Sequence, residues 1–115
     1  MGYRSNVAFA FTKENNDKLL EKHKDDQEFL DFLNSLLYHE QDIDKKVVYY
    51  DELLKWYGTY PDIKKIEEFF DELDSEKKVS EYGFLRLGED FGDIEMRGEF
   101  EDFGINFIRK IEIDN

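Results

Sequence analysis

The residues best suited to acid–base or metal chemistry near neutral pH are the two histidines. His23 lies in a charged stretch, and His39 lies within Tyr38-His39-Glu40. A helical zinc site pairs two histidines across one turn, as in His-Glu-x-x-His, and no such spacing occurs. Both are read as ordinary surface or helix-end residues. Asp42-Ile43-Asp44 opens the alternation of a calcium loop, but Val47 stands where that loop needs Gly. Glu89-Asp90-Phe91-Gly92-Asp93-Ile94-Glu95 is acidic around a Gly at the wrong spacing. Glycoside chemistry needs two carboxylates across a cleft, a signal without specificity among 29 acids. No Gly-x-Ser-x-Gly, phosphate loop or dinucleotide fingerprint occurs, and Ser5, Ser35, Ser75 and Ser80 have no His near them in sequence. There is no Cys, so thiolate zinc sites, disulfides and a thiol nucleophile are excluded. The expectation is a protein with no catalytic residue, metal site or cofactor.

What stands out instead is charge. Residues 1–60 hold 12 acids and 8 Lys/Arg, whereas residues 61–115 hold 17 acids and 8 Lys/Arg. The densest stretch carries Glu89, Asp90, Asp93, Glu95, Glu99, Glu101 and Asp102 against Arg97 alone. On a strand, Asp93, Glu95, Arg97 and Glu99 share one face, with alternate side chains roughly 6.6 Å apart. The expected result is a ridge of fixed negative charge, extended by helix carboxylates at Glu67, Glu68, Asp71, Glu72 and Asp74. Duplex DNA carries about one negative charge per 1.7 Å of axis, so an extended ridge of this kind suits a basic, nucleic-acid-binding groove. The plain alternative is a solvated outer face whose charges block edge-to-edge aggregation.

A second candidate is Lys55-Trp56-Tyr57-Gly58-Thr59-Tyr60, which sets the only Trp and two Tyr around a Gly. Trp and Tyr dominate interface hot spots, and they also fill cores. Trp56, Tyr57 and Tyr60 join the acids as candidate partner-binding residues.

These side chains need elements to hold them. Tyr3, Ser5, Val7, Phe9 and Phe11 alternate with Arg4, Asn6, Ala8, Ala10 and Thr12, a strand with period two. Ala8 and Ala10 make its second face apolar too, which places it centrally in its sheet. Thr12 to Asn16 signals a helix start. Leu19 and Leu20, then Phe29, Leu30, Leu33, Leu36 and Leu37, give apolar faces interrupted by charge. Two helices meeting near Asp25, or one bent helix, end by about Tyr38 to Glu40. Val47 to Tyr50 form a short strand, and Asp51 starts a short helical turn through Leu53, Leu54 and Tyr57, closed by Gly58. Pro61 opens a helix whose core face is Ile63, Ile66, Phe69, Phe70 and Leu73. Five of the seven Gly lie between Gly83 and Gly104, where Tyr82 to Leu87, Asp93 to Glu99 and Ile105 to Ile113 read as a three-stranded meander. The order β-α-(α)-β-α-β-β-β describes a single α+β domain over residues 1–115, with helices on one face of a mostly antiparallel sheet of about five strands.

The aromatic content of 17% argues for a packed core, and one domain suits 115 residues. The net charge of −13 repels nucleic acid and anionic membranes. The apolar run Val7 to Phe11 is too short for a membrane span. A cytoplasmic protein is expected, with a basic protein as partner and no direct nucleic-acid or membrane contact. A long, apolar final strand left at an edge would favour a dimer, so both monomer and homodimer stay open.

The opening Met1-Gly2-Tyr3-Arg4-Ser5 and its alternating apolar residues resemble small acidic proteins encoded by phages and mobile elements. Val47-Val48-Tyr49-Tyr50, Lys55-Trp56-Tyr57 and Tyr82 to Asp90 are similar in kind. The resemblance implies an accessory protein that blocks host defence, of the anti-CRISPR or anti-restriction type, in some cases by DNA mimicry. It assigns no role to any individual residue. The competing expectation is an immunity protein that neutralises a basic toxin such as a nuclease. A third is a small carboxylate enzyme with one buried acid of raised pKa.

Overall fold

The computed structural model describes residues 2–36, 38–41 and 46–105. Its centre is β1 (Ser5–Thr12), the middle strand of a five-stranded sheet in the order β2-β3-β1-β4-β5. Every neighbouring pair is antiparallel. The central position expected from Ala8 and Ala10 is the one observed, and both faces of β1 are buried.

Thr12 ends the strand and caps α1 (Lys13–Lys22), its hydroxyl accepting the Asn15 N–H at 3.3 Å. The chain then breaks into two helices. Asp26, one residue later than expected, caps α2 (Gln27–Ser35) by accepting the Phe29 N–H at 3.1 Å. Its carboxylate also meets Lys65 of the third helix. Pro61 opens that helix, α3 (Pro61–Ser75), and Ile63, Ile66, Phe69, Phe70 and Leu73 are its buried face as the spacing requires.

Two expectations are corrected between the helices. Tyr38–Gln41 is a strand, β2, rather than the tail of a helix: the chain turns extended at Leu36, and β3 offers its backbone as a partner. The helical turn expected after Asp51 is absent. Instead β3 runs Lys46–Leu54, because β1 continues to supply hydrogen-bonding partners along its length. Local turn chemistry at Asp51 yields to the ladder, as strand pairing outweighs local propensity. The pairing slips between Val7↔Asp51 and Ser5↔Leu54, so β3 carries one extra residue, a β-bulge. The strand expected over Ile105 to Ile113 lies outside the described residues except for buried Ile105, as do Leu37 and the Asp42-Ile43-Asp44 pattern.

The last two described strands form a hairpin, β4 (Tyr82–Gly88) and β5 (Ile94–Gly98), with 3₁₀ turns at Val79–Glu81 and Phe100–Phe103. The three described helices cover one face, where Phe9 stacks on Tyr49 at 4.9 Å and Phe70 on Tyr82 at 4.9 Å. The opposite face is covered by Phe100, Phe103 and Ile105 packed on Ala8, Ala10 and Leu85. Gly83 permits that cover, since a Cβ there would overlap the Phe100 backbone. The protein is thus an α+β, two-layer fold. No helix among the described residues is long and apolar enough to cross a membrane.

Candidate functional site

The candidate surface is built around two arginines that sort the carboxylates. Arg86 on β4 is only 16% exposed in its side chain. It donates from Nε to Glu95 at 2.9 Å, from Nη2 to Asp93 at 2.8 Å, and from Nη1 to Asp93 at 3.1 Å and the Ser5 hydroxyl at 3.0 Å. The paired carboxylates hold its pKa above the ordinary value, with the Asp93 hydrogen bonds the largest cause. The Tyr3 hydroxyl donates to the same Asp93 at 2.6 Å and accepts the Asp90 N–H at 3.0 Å. A Cβ on Gly88 would meet the Asp93 carboxylate and the Tyr3 hydroxyl, so glycine leaves room for these two groups to come together.

Arg97 on β5 does the equivalent work toward α3. Its guanidinium lies 5.2 Å from the Phe70 ring centre and donates to Asp71 at 2.7 Å and Asp74 at 2.8 Å. Asp74 also accepts the Tyr82 hydroxyl at 2.7 Å.

These pairings break the ridge expected from the sequence. Glu95 and Arg97 do share a side of β5, but that side is turned toward partners, and Glu95 and the preceding Asp93 are neutralised by Arg86. Glu99 leaves the alternation because Gly98, with φ +63°, ends the strand. What remains is two acidic turns at opposite ends of β5. One holds exposed Glu89 and Asp90; Glu89 accepts the Arg4 backbone N–H. The other holds exposed Glu99, Glu101 and Asp102. There the hydrogen bond that Glu99 shares with the Asp102 carboxyl raises the Glu99 pKa, a sign of two crowded acids. Glu68 and Glu72 add exposed carboxylates on α3 and Glu76 one at its C-cap, with Glu72 paired to Lys22 and Glu76 to Lys78.

The aromatic candidate divides as well. Trp56 is core, 8% exposed, with its ring 5.8 Å from Phe9 and 5.5 Å from Phe84. Its Nε1 donates to Glu67 at 3.3 Å, and burial raises the Glu67 pKa against that hydrogen bond. Trp56 therefore leaves the candidate surface. Tyr57 and Tyr60 stay near it, edge to face at 5.1 Å, and the Tyr57 hydroxyl donates to the Tyr3 carbonyl at 2.9 Å. Tyr3 thereby joins the two candidate regions, Tyr57–Tyr60 and Glu89–Asp93, which the sequence keeps far apart.

Three exposed or bridging residues lie outside the candidates read from the sequence: Leu53, Phe91 and Tyr3. Phe91 carries a legible signal, an aromatic flanked by Asp90 and Gly92 in a turn. Leu53 carries none, because its position depends on the bulge against β1. His23 lies against Phe29 at 4.8 Å; burial, then Lys65 and Lys22, lower its pKa. An open groove of about 480 Å³ between α1 and α2 is floored by Leu20, Leu30, Leu33 and Tyr49 and rimmed by Asp17 and Glu21. Among the described residues no three His, Asp or Glu are grouped to hold a metal ion. No protein-family model matches the chain, and no curated protein or solved structure matches it.

Proposed function

We propose that the protein is a non-catalytic inhibitor of phage or mobile-element type, which binds a basic, nucleic-acid-handling host defence protein of the CRISPR or restriction class. The observation that carries the reading is the set of exposed carboxylates at Glu89, Asp90, Glu99, Glu101 and Asp102, with no Lys or Arg salt-bridged to Glu89, Asp90, Glu99 or Glu101 among the described residues; Glu68 on α3 joins them, while Glu72 and Glu76 nearby are paired to Lys22 and Lys78. The two turns flank β5, and Arg97 ties β5 to α3 through Asp71 and Asp74, so the turns and the helix are linked through one strand. A basic partner gains long-range attraction to such a surface, and its Lys or Arg would relieve the crowding of Glu99 and Asp102. In the DNA-mimic form of this reading, the two turns and the α3 carboxylates stand in for phosphates.

The test is a pull-down with the tagged chain from bacterial lysate, washed at low and then high salt, followed by competition with duplex DNA. Retention of a nucleic-acid-binding protein that salt and DNA both release is the expected result. A partner held equally well at high salt and after neutralisation of Glu99, Glu101 and Asp102 would sink the charge-based reading.

A further inference from the structure

The end of the sheet where β1 begins carries three of the exposed large apolar side chains: Leu53 at 63%, Phe91 at 61% and Tyr60 at 42%. They come from two parts of the chain, residues 53–60 and the turn at Phe91. Residues 3 and 4 hold those parts together. Arg4 donates from Nη1 to the Leu53 carbonyl at 3.0 Å while its backbone N–H reaches Glu89. Tyr3 meets Asp93 and Asp90 through its hydroxyl and Tyr57 through its carbonyl.

Leu53 is unusual twice over. Its φ of 57° is left-handed backbone, uncommon for any residue but Gly and a true outlier for a bulky one. Its N–H is fixed by the Asn6 side chain at 3.1 Å and its carbonyl by Arg4, so the conformation is enforced from β1 and the residue before it. The strain produces no burial, since the side chain stands in water. Strained backbone that is held in place by its surroundings concentrates at binding and active sites.

We propose that this end of the sheet is the docking face for a basic protein segment bearing a large apolar side chain. Leu53, Tyr60 and Phe91 receive the apolar group, and Asp51, Glu52, Glu89 and Asp90 receive the flanking Lys or Arg. The inference rests on the reading above, that the partner is a basic protein, and adds where it docks and what it must carry besides charge. Charge complementarity selects the occupant. A second copy of the chain would bring another net charge of −13 against these acids, and nucleic acid or an anionic membrane is repelled for the same reason. Apolar anchors supply most of the energy at such faces, and flanking charges supply orientation and association rate.

The probes are two defined peptides, one of Lys, Arg and Gly only, the other with Phe and Leu replacing its central Gly residues. Binding to the isotope-labelled full chain is followed by NMR titration. The Phe/Leu peptide is expected to bind about tenfold more tightly, with the largest shifts at residues 51–60 and 89–93. L53N and F91S should each remove most of that advantage and leave the all-basic peptide unaffected. The L53N chain should unfold at an equal or higher midpoint, because Asn accepts positive φ more readily than Leu. The docking face is overturned if both variants keep the advantage, or if shifts centre on residues 68–76. If the all-basic peptide still binds with steep salt dependence in that case, the basic-partner reading survives alone. If neither peptide binds, both fall. Concentration-dependent dimerisation without peptide, lost in F91S, would make a second copy the occupant and overturn the proposal.

Discussion

The carboxylates of β5 and those of its two flanking turns come from one dense acidic stretch, yet they do opposite things. Asp93 and Glu95 are committed to Arg86, and Asp71 and Asp74 of α3 to Arg97. Glu89, Asp90, Glu99 and Glu101 project into solvent. The deciding variable is the arginine. Side chains of Arg86 and Arg97 are 16% and 22% exposed, and a guanidinium that far from water must be met by carboxylates. The acids nearest them therefore hold the structure, and the turn acids are left without an arginine salt bridge among the described residues. Counting acids in a stretch overstates the charge that a partner would meet.

The comparison breaks first at its platform. Phe70 is fully buried beneath Arg97, and F70A should destabilise the fold by about 3–5 kcal/mol in denaturant unfolding, with loss of the Arg97 clasp. R86M keeps the aliphatic stem and removes the charge. It should lower stability by about 2 kcal/mol, since Asp93 and Glu95 are left facing each other. R97M should have a smaller effect, about 1 kcal/mol, because Asp71 is well exposed and the loss is chiefly the contact with Phe70. If R86M and R97M left stability unchanged, the committed acids would be no more structural than the free ones.

The turn acids should behave in reverse. E101Q with D102N should leave the unfolding midpoint where it is, while weakening capture of the basic partner at low salt and flattening its salt dependence. A shifted midpoint with unchanged capture would reverse the assignment.

The smallest expected effect lies at the joint of α1 and α2. Burial, with Lys65 and Lys22 nearby, lowers the His23 pKa, so the unfolded chain takes up the proton first. The stability tied to neutral His23 is present in full above the ordinary histidine value near 6.5 and is lost as the pH falls through the lowered folded value. H23Q should flatten the unfolding midpoint against pH in that window. An unchanged slope would show that other groups set it.

Much of this was readable in order along the chain. Thr12 caps α1, Pro61 opens α3, and the 3.6-residue spacing of Ile63, Ile66, Phe69, Phe70 and Leu73 marks a buried face, because each signal acts over a few neighbouring residues. The site was less legible. Glu89, Asp90, Glu99, Glu101 and Asp102 are exposed as the composition suggested, whereas Asp93 and Glu95 were taken by an arginine that the local stretch does not contain. Trp56 was drawn into the core by Phe9 and Phe84, both far from it in sequence.

The sequence by itself determined the α+β class, the central β1, the main helices and the acidic excess, since periodicity, capping and composition are local or global sums. Only the tertiary structure decided that β3 continues to Leu54, that a bulge turns Leu53 outward, and that Tyr3 bonds to Asp93 across 90 residues. Those outcomes depend on which strand lies beside which, and pairing between distant segments leaves no periodic trace in either one.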